Sequence, residues 1–183
     1  MPAIRAQLTH MGLYVRDLPA MTRFYTEVLG LSVADRGPGR VPGTEMVFLT
    51  ADPECHHQVV LVSGRPETDG YNPINQISFT VRSLDELRAV RDRALALGAS
   101  ALRQTSHGNA WSVYFRDPEG NTLEAYLDTP FHVPQPRGDA LDLDRPDAEI
   151  VAATEAACRD DPGFRPRAEY VRAMADRLAA TNP

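Results

Sequence analysis

The chain has 183 residues, with 19 basic side chains against 25 acidic ones and a formal charge of −6 at pH 7. That length buries on the order of 70% of the unfolded surface, so a core forms without disulfides or a structural metal. The acidic balance argues against nucleic acid as a partner, because phosphate binding needs a concentrated basic face, and the absence of lysine excludes Schiff-base and phosphate-loop lysine chemistry.

Met1 to Gln7 has no apolar core of signal-peptide length, and nowhere do 18 apolar residues run together. A cytoplasmic protein with no membrane partner is expected. Cys55 and Cys158 stand far apart and read as unpaired thiols. Thr9 to Leu18 then lies over Asn75 to Leu84 at a constant offset of 66, with Val-Arg-x-Leu repeated as it stands. Each copy continues into a helical pattern. In the first, Asp17 is a candidate N-cap and Leu18, Met21, Phe24, Tyr25 and Val28 recur at helical spacing before Gly30. In the second, Ser83 with Glu86 forms a capping box, and Leu84, Leu87, Val90 and Ala94 run to Gly98.

The correspondence extends past the helices. Met46 to Leu49 precedes Asp52-Pro53-Glu54, and Ser112 to Phe115 precedes Asp117-Pro118-Glu119. Final strands follow at Gln58 to Val62 and at Thr122 to Tyr126, and a strand is expected after each helix. The fold class is therefore α+β, two βαβββ modules at about 7–63 and 72–128. Neither half can bury a core alone, so they pair in one domain, 1–128. A Pro- and Asp-rich linker and two helices, Pro146 to Arg159 and Arg167 to Ala180, make up 129–183. The helices have narrow apolar stripes that pack on the domain or on a second subunit, which leaves a homodimer open.

Paired modules opening Thr-His-x-x-Leu-x-Val-x-Asp-Leu (Thr9 to Leu18), continuing Phe-Tyr-x-x-x-Leu-Gly-Leu (Phe24 to Leu31) and closing Asp-Pro-Glu-Gly-Asn-x-x-Glu-x-Tyr (Asp117 to Tyr126) resemble the vicinal oxygen chelate superfamily. The resemblance covers about residues 7–128. It implies a cup of two curved half-sheets with a metal held from the first and last strands of the modules. Residue by residue, the implied ligands are His10, Gln76 and Glu124, with valine (Val59 or Val60) where glyoxalases carry a further carboxylate. One imidazole and one carboxylate suit a divalent first-row ion, Fe(II) first and Mn(II) second. Gln76 departs from the histidine of the dioxygenase pattern. The alternative is a lost metal site, with no cofactor and a hydrogen-bonded His10 and Glu124.

Cys55-His56-His57-Gln58-Val59-Val60-Leu61 resembles the His-His stretch of extradiol enzymes and implies that His57 is a proton-transfer residue beside bound oxygen. Strand alternation predicts that His56 and His57 leave opposite faces. The resemblance further implies His107 and Tyr114 as partners of the substrate hydroxyls. The residues alone are equally consistent with a solvated turn histidine and a core tyrosine. Tyr126 shares a face with Glu124 and is a candidate substrate contact, or a packed strand tyrosine; Trp111 is an aromatic wall or core. Phe131 to Pro136 is a candidate cover for the mouth of the cup. The leading expectation is an extradiol ring-cleavage dioxygenase acting on a catechol-like aromatic with dioxygen. A metal-free binding protein for an aromatic molecule and a glyoxalase-like isomerase or lyase are the alternatives.

Overall fold

The offset-66 repeat is realised as two successive βαβββ units in a computed structural model that describes residues 6–67 and 72–181. Most of the segment Met1 to Gln7, expected to lack a signal peptide, lies outside the described residues. The first unit comprises β1 (Met11–Val15), α1 (Leu18–Leu29), β2 (Ser32–Pro38), β3 (Glu45–Thr50) and β4 (Val59–Ser63). The second comprises β5 (Ile77–Thr80), α2 (Leu84–Ala96), β6 (Ser100–Ser106), β7 (Ala110–Arg116) and β8 (Thr122–Asp128). Beyond them lie β9 (Phe131–His132), β10 (Asp139–Ala140), α3 (Asp147–Cys158), β11 (Arg165–Pro166) and α4 (Arg167–Thr181). The α+β class and the paired modules are as expected. Among the described residues no helix is long and apolar enough to cross a membrane.

Local chemistry sets the helix ends. Asp17 accepts a hydrogen bond from the Ala20 amide at 2.9 Å, and Gly30 closes α1 at φ 70°, a conformation that costs glycine least. Ser83 caps α2 by accepting from the Glu86 amide, while Glu86 reaches back to the amide of Arg82, one residue before the position a capping box predicts.

The strands order as β1-β4-β3-β2 in one sheet and β10-β6-β7-β8-β5 in the other. In each sheet the first strand of the unit pairs in parallel with the last, Gly12 beside Val60 and Ser78 beside Glu124. One face of each sheet packs on the helices through Val15, Val47, Leu49, Val59 and Leu61, or Ile77, Val113, Phe115, Leu123 and Ala125. The halves interlock there. Phe24 and Tyr25 of α1 meet Phe115 and Phe79 of the second sheet at 6.2 and 6.3 Å between ring centroids.

The second Asp-Pro-Glu turn completes the interlock. The Tyr25 hydroxyl donates to Asp117 at 3.3 Å. Glu119 accepts from the amides of Arg16 and Asp17 and pairs with Arg65 at 3.2 Å, so one carboxylate of the second half holds the strand-to-helix turn of the first.

The tail is attached rather than free. Ile150, Thr154 and Cys158 of α3 are buried, and β10 extends the second sheet beside β6. Phe131 to Pro136, read in the sequence as a candidate cover, makes contacts in two directions: β9 pairs with β11, Phe131 meets Phe164 at 5.5 Å and His132 stacks on Tyr170 at 3.8 Å, while Gln135 Nε2 donates to the His107 carbonyl at 2.8 Å. Phe131 and His132 thereby anchor the start of α4.

Candidate functional site

Strand register assembles the site on the open face of the second sheet. Arg103 of β6, Tyr114 of β7, Glu124 of β8 and Ser78 of β5 are successive cross-strand partners, so their side chains form one transverse row. Glu124 is only 7% exposed. Its Oε2 accepts from Gln76 Nε2 at 2.7 Å and from Ser78 Oγ at 2.5 Å, which compensates the burial of a carboxylate. Ser78 was missed by the sequence reading. Alternation marks it, two residues after Gln76 on the same face.

Tyr114 and His107 are in contact. His107 lies in the tight turn between β6 and β7, closed by the His107 amide donating to the Ala110 carbonyl at 2.8 Å. Gly108 follows at φ 75°, where a Cβ would stand 2.4 Å from Val133 Cγ1. A backbone carbonyl only accepts, so the contact of His107 Nδ1 with the Arg137 carbonyl oxygen places the proton on Nδ1. In the neutral ring Nε2 therefore accepts from the Tyr114 hydroxyl, 2.9 Å away. Burial, together with a hydrogen bond to Glu124 and its charge, pushes the Tyr114 phenol up to about 12.

A second group stands on the first sheet. His10 precedes β1 and its ring lies 4.5 Å from that of His57; His57 in turn lies 5.2 Å from Phe48. The expectation that His56 and His57 diverge fails. Their Nδ1 atoms are 2.9 Å apart, and the His56 ring is 5.8 Å from the same Phe48. β4 starts only at Val59, and the turn before it frees both histidines from strand alternation. Burial first, then the charges of His10 and His56, lower the pKa of His57.

Two other candidates separate. Trp111 does not line the open face: at 3% exposure it sits among the helix-side core residues, and its Nε1 donates to Thr154 of α3 at 2.8 Å. Odd-numbered residues of β7 face the helices while Tyr114 faces away, so alternation itself removes Trp111 from the site. Tyr126 stays on the face of Glu124, half-buried, opposite Thr80 and Ser112.

The donor types suit a divalent ion, since His10 supplies an imidazole, Glu124 a carboxylate and Gln76 an amide oxygen. Gln76, however, turns its NH2 toward Glu124. Rotating the amide by half a turn would present its oxygen and surrender that hydrogen bond. Among the described residues no three His, Cys, Asp or Glu side chains form a group able to hold a metal; His10 precedes β1 of the first sheet, while Glu124 lies in β8 of the second. The position matching Glu124 in the first half is Val60, 6% exposed, which leaves no carboxylate there.

The chain belongs to the glyoxalase/bleomycin resistance protein/dioxygenase superfamily, whose model matches residues 7–125. It is 34% identical over 147 residues to biphenyl-2,3-diol 1,2-dioxygenase 3 of Rhodococcus globerulus, which covers 75% of this chain and 71% of that protein. It shares 29% identity and a TM-score of 0.58 with a glyoxylase/bleomycin resistance protein/dioxygenase domain from Frankia sp. EAN1pec, over 68% of this chain and 99% of that one. A fosfomycin resistance protein, FosX, from Mesorhizobium loti shares the fold at 24% identity and a TM-score of 0.51, over 67% of this chain and 92% of that one.

Proposed function

We propose that the protein is an extradiol-type ring-cleavage dioxygenase that takes a catechol-like aromatic and dioxygen. The reading is carried by the row of Glu124 and Tyr114, with His107 behind it and Gln76 beside it, in a chain similar to a biphenyl-diol dioxygenase. His10, Gln76 and Glu124 would hold Fe(II), or Mn(II) as the second choice. Such an ion, when bound, supplies a chelating centre for vicinal hydroxyls and for dioxygen.

The chain's own groups then have distinct tasks. Tyr114, with its phenol at about 12, stays protonated at neutral pH and acts as a hydrogen-bond donor rather than a base. His107 Nε2 accepts the hydrogen bond of that phenol, so the Tyr114 oxygen is left to accept from a substrate hydroxyl, unless the phenol proton turns to Glu124. The lowered pKa of His57 keeps its ring neutral near pH 7, as a base beside the reacting diol must be. Tyr126 borders the same face and would pack against the ring.

Oxygen uptake with simple catechols tests the reading, using protein purified anaerobically with added iron. Ring-cleaved product that disappears in chelator supports it; no product with any catechol removes it. A second reading, a metal-free binding protein for an aromatic molecule, is favoured by the Gln76 amide already satisfying Glu124. It predicts aromatic binding that is indifferent to chelator. The glyoxalase-like alternative needs a carboxylate where Val60 stands.

A further inference from the structure

Beside Tyr114 the second sheet carries a recess of about 230 Å³ bordered by Gln76, Ala101, Arg103, Tyr114, Arg116 and Thr122. Two guanidinium groups flank it. The Arg103 carbon Cζ stands 4.6 Å from the centre of the Tyr114 ring, and Arg116, two residues beyond Tyr114 on β7, shares its face. Both are exposed, and among the described residues neither makes an ion pair.

The backbone is built to aim Arg103. The pairing of β6 with β7 slips between Ser100 and Arg103, and Ala101 within that bulge takes φ 55°, the only non-glycine residue of positive φ among those described. A bulge re-aims the side chains that follow it, and strain of this kind persists where the surroundings hold it. Its result here is that Leu102 packs toward the core while Arg103 stands opposite Tyr114 on the open face.

We infer that Arg103 and Arg116 form an anion-binding subsite, so that the preferred aromatic substrate bears a carboxylate on its ring. The inference rests on the proposed reaction for the diol end of the substrate. Arg103 stands two strands from Glu124 along the row, about 10 Å at the usual strand spacing. That span accommodates one aromatic ring with its hydroxyls toward Glu124 and an anionic substituent toward Arg103. Arginine's planar fork suits a carboxylate, and its stacking on Tyr114 holds the fork in place. The corresponding face of the first sheet presents Met46, Phe48, Val60 and Val62, which are apolar.

Calorimetric titration of the chelator-treated protein with benzoate, which cannot chelate a metal, isolates the subsite from the reaction. Saturable benzoate binding is expected, weakening at least tenfold in Arg103→Gln/Arg116→Gln and falling with added salt, while phenol binding is unchanged. The variants' melting curves report folding separately. Benzoate and phenol binding alike, or benzoate binding indifferent to the double substitution, would overturn the subsite. Iron-loaded protein cleaving catechol as well as a dihydroxybenzoate would overturn it while leaving the dioxygenase reading intact. Arginine-dependent benzoate binding in a protein that cleaves no diol would retain the subsite and remove the reaction.

Discussion

Gln76 and Glu124, 48 residues apart in sequence, meet through a 2.7 Å hydrogen bond from the Gln76 amide to the carboxylate. A buried carboxylate is thereby bound by a neutral donor at the position where a histidine would be the stronger partner of a first-row ion. Gln76→His is expected to tighten Fe(II) binding in calorimetric titration, and Glu124→Ala to abolish it. Equal iron affinity in the natural protein and Gln76→His would show that residue 76 is no ligand. Gln76→Ala, which removes one of the donors to the buried Glu124 carboxylate, is expected to cost about 1–3 kcal/mol of stability.

Tyr114→Phe deletes the hydroxyl between His107 and Glu124 while keeping the ring. Turnover is expected to fall roughly 100-fold, with iron content unchanged. The phenol's ionisation at about 12 adds a spectroscopic check: the phenolate absorbance that appears around pH 10 should be the same in the natural protein and in Tyr114→Phe. A tyrosinate signal lost at pH 10 in the variant would contradict the burial and charge assigned to this residue.

His57→Ala should lower ring cleavage by roughly 100-fold or more, the usual effect of losing one general acid or base, without loss of metal. His56→Ala is the informative companion. Both rings flank Phe48, but only that of His57 reaches the His10 ring, so the His56 variant should retain most of the activity. Metal lost with His57 would make it a ligand.

Removal of residues 146–183 would uncover Trp111 and strip its Nε1 of Thr154. Burial of Ile150 alone is worth about 1.5–3 kcal/mol, so the truncated chain should melt several degrees lower. Thr154→Val, which keeps the volume, should cost about 1–3 kcal/mol through the unsatisfied indole donor. Unchanged melting in both variants would mean that α3 contributes nothing to the core.

His132 offers a pH dependence distinct from the site. Its pKa is lowered, by burial first and by the charge of Arg165 second, while its ring stacks on Tyr170. The unfolded chain therefore binds the proton more readily. The neutral ring's contribution is present above about pH 6.5 and is lost as the pH falls through the lower folded value. The protection factors of the α4 amides, which divide out the intrinsic pH dependence of exchange, should fall over that interval in the natural protein, and His132→Phe should flatten the change.

Much of this molecule is legible in its residue order, because the information is local. Apolar spacing, Asp17, Ser83 and Gly30 specify the helices, and the offset-66 repeat specifies that a βαβββ unit occurs twice. Period-two alternation also places Glu124 and Tyr126 on one face. It equally separates Trp111 from Tyr114, an inference available in the sequence but not drawn from it. What only tertiary structure decided depends on where alternation stops and on contacts between distant segments. The turn ending at Gln58 lets His56 and His57 share one side of Phe48. The bulge at Ala101 turns Arg103 toward Tyr114, and the Arg137 carbonyl, 30 residues beyond His107, fixes which imidazole nitrogen faces the phenol. The Gln76 amide chooses its orientation only when the parallel pairing of β5 with β8 brings Glu124 beside it, since a side chain that can donate or accept takes its role from the partner it meets.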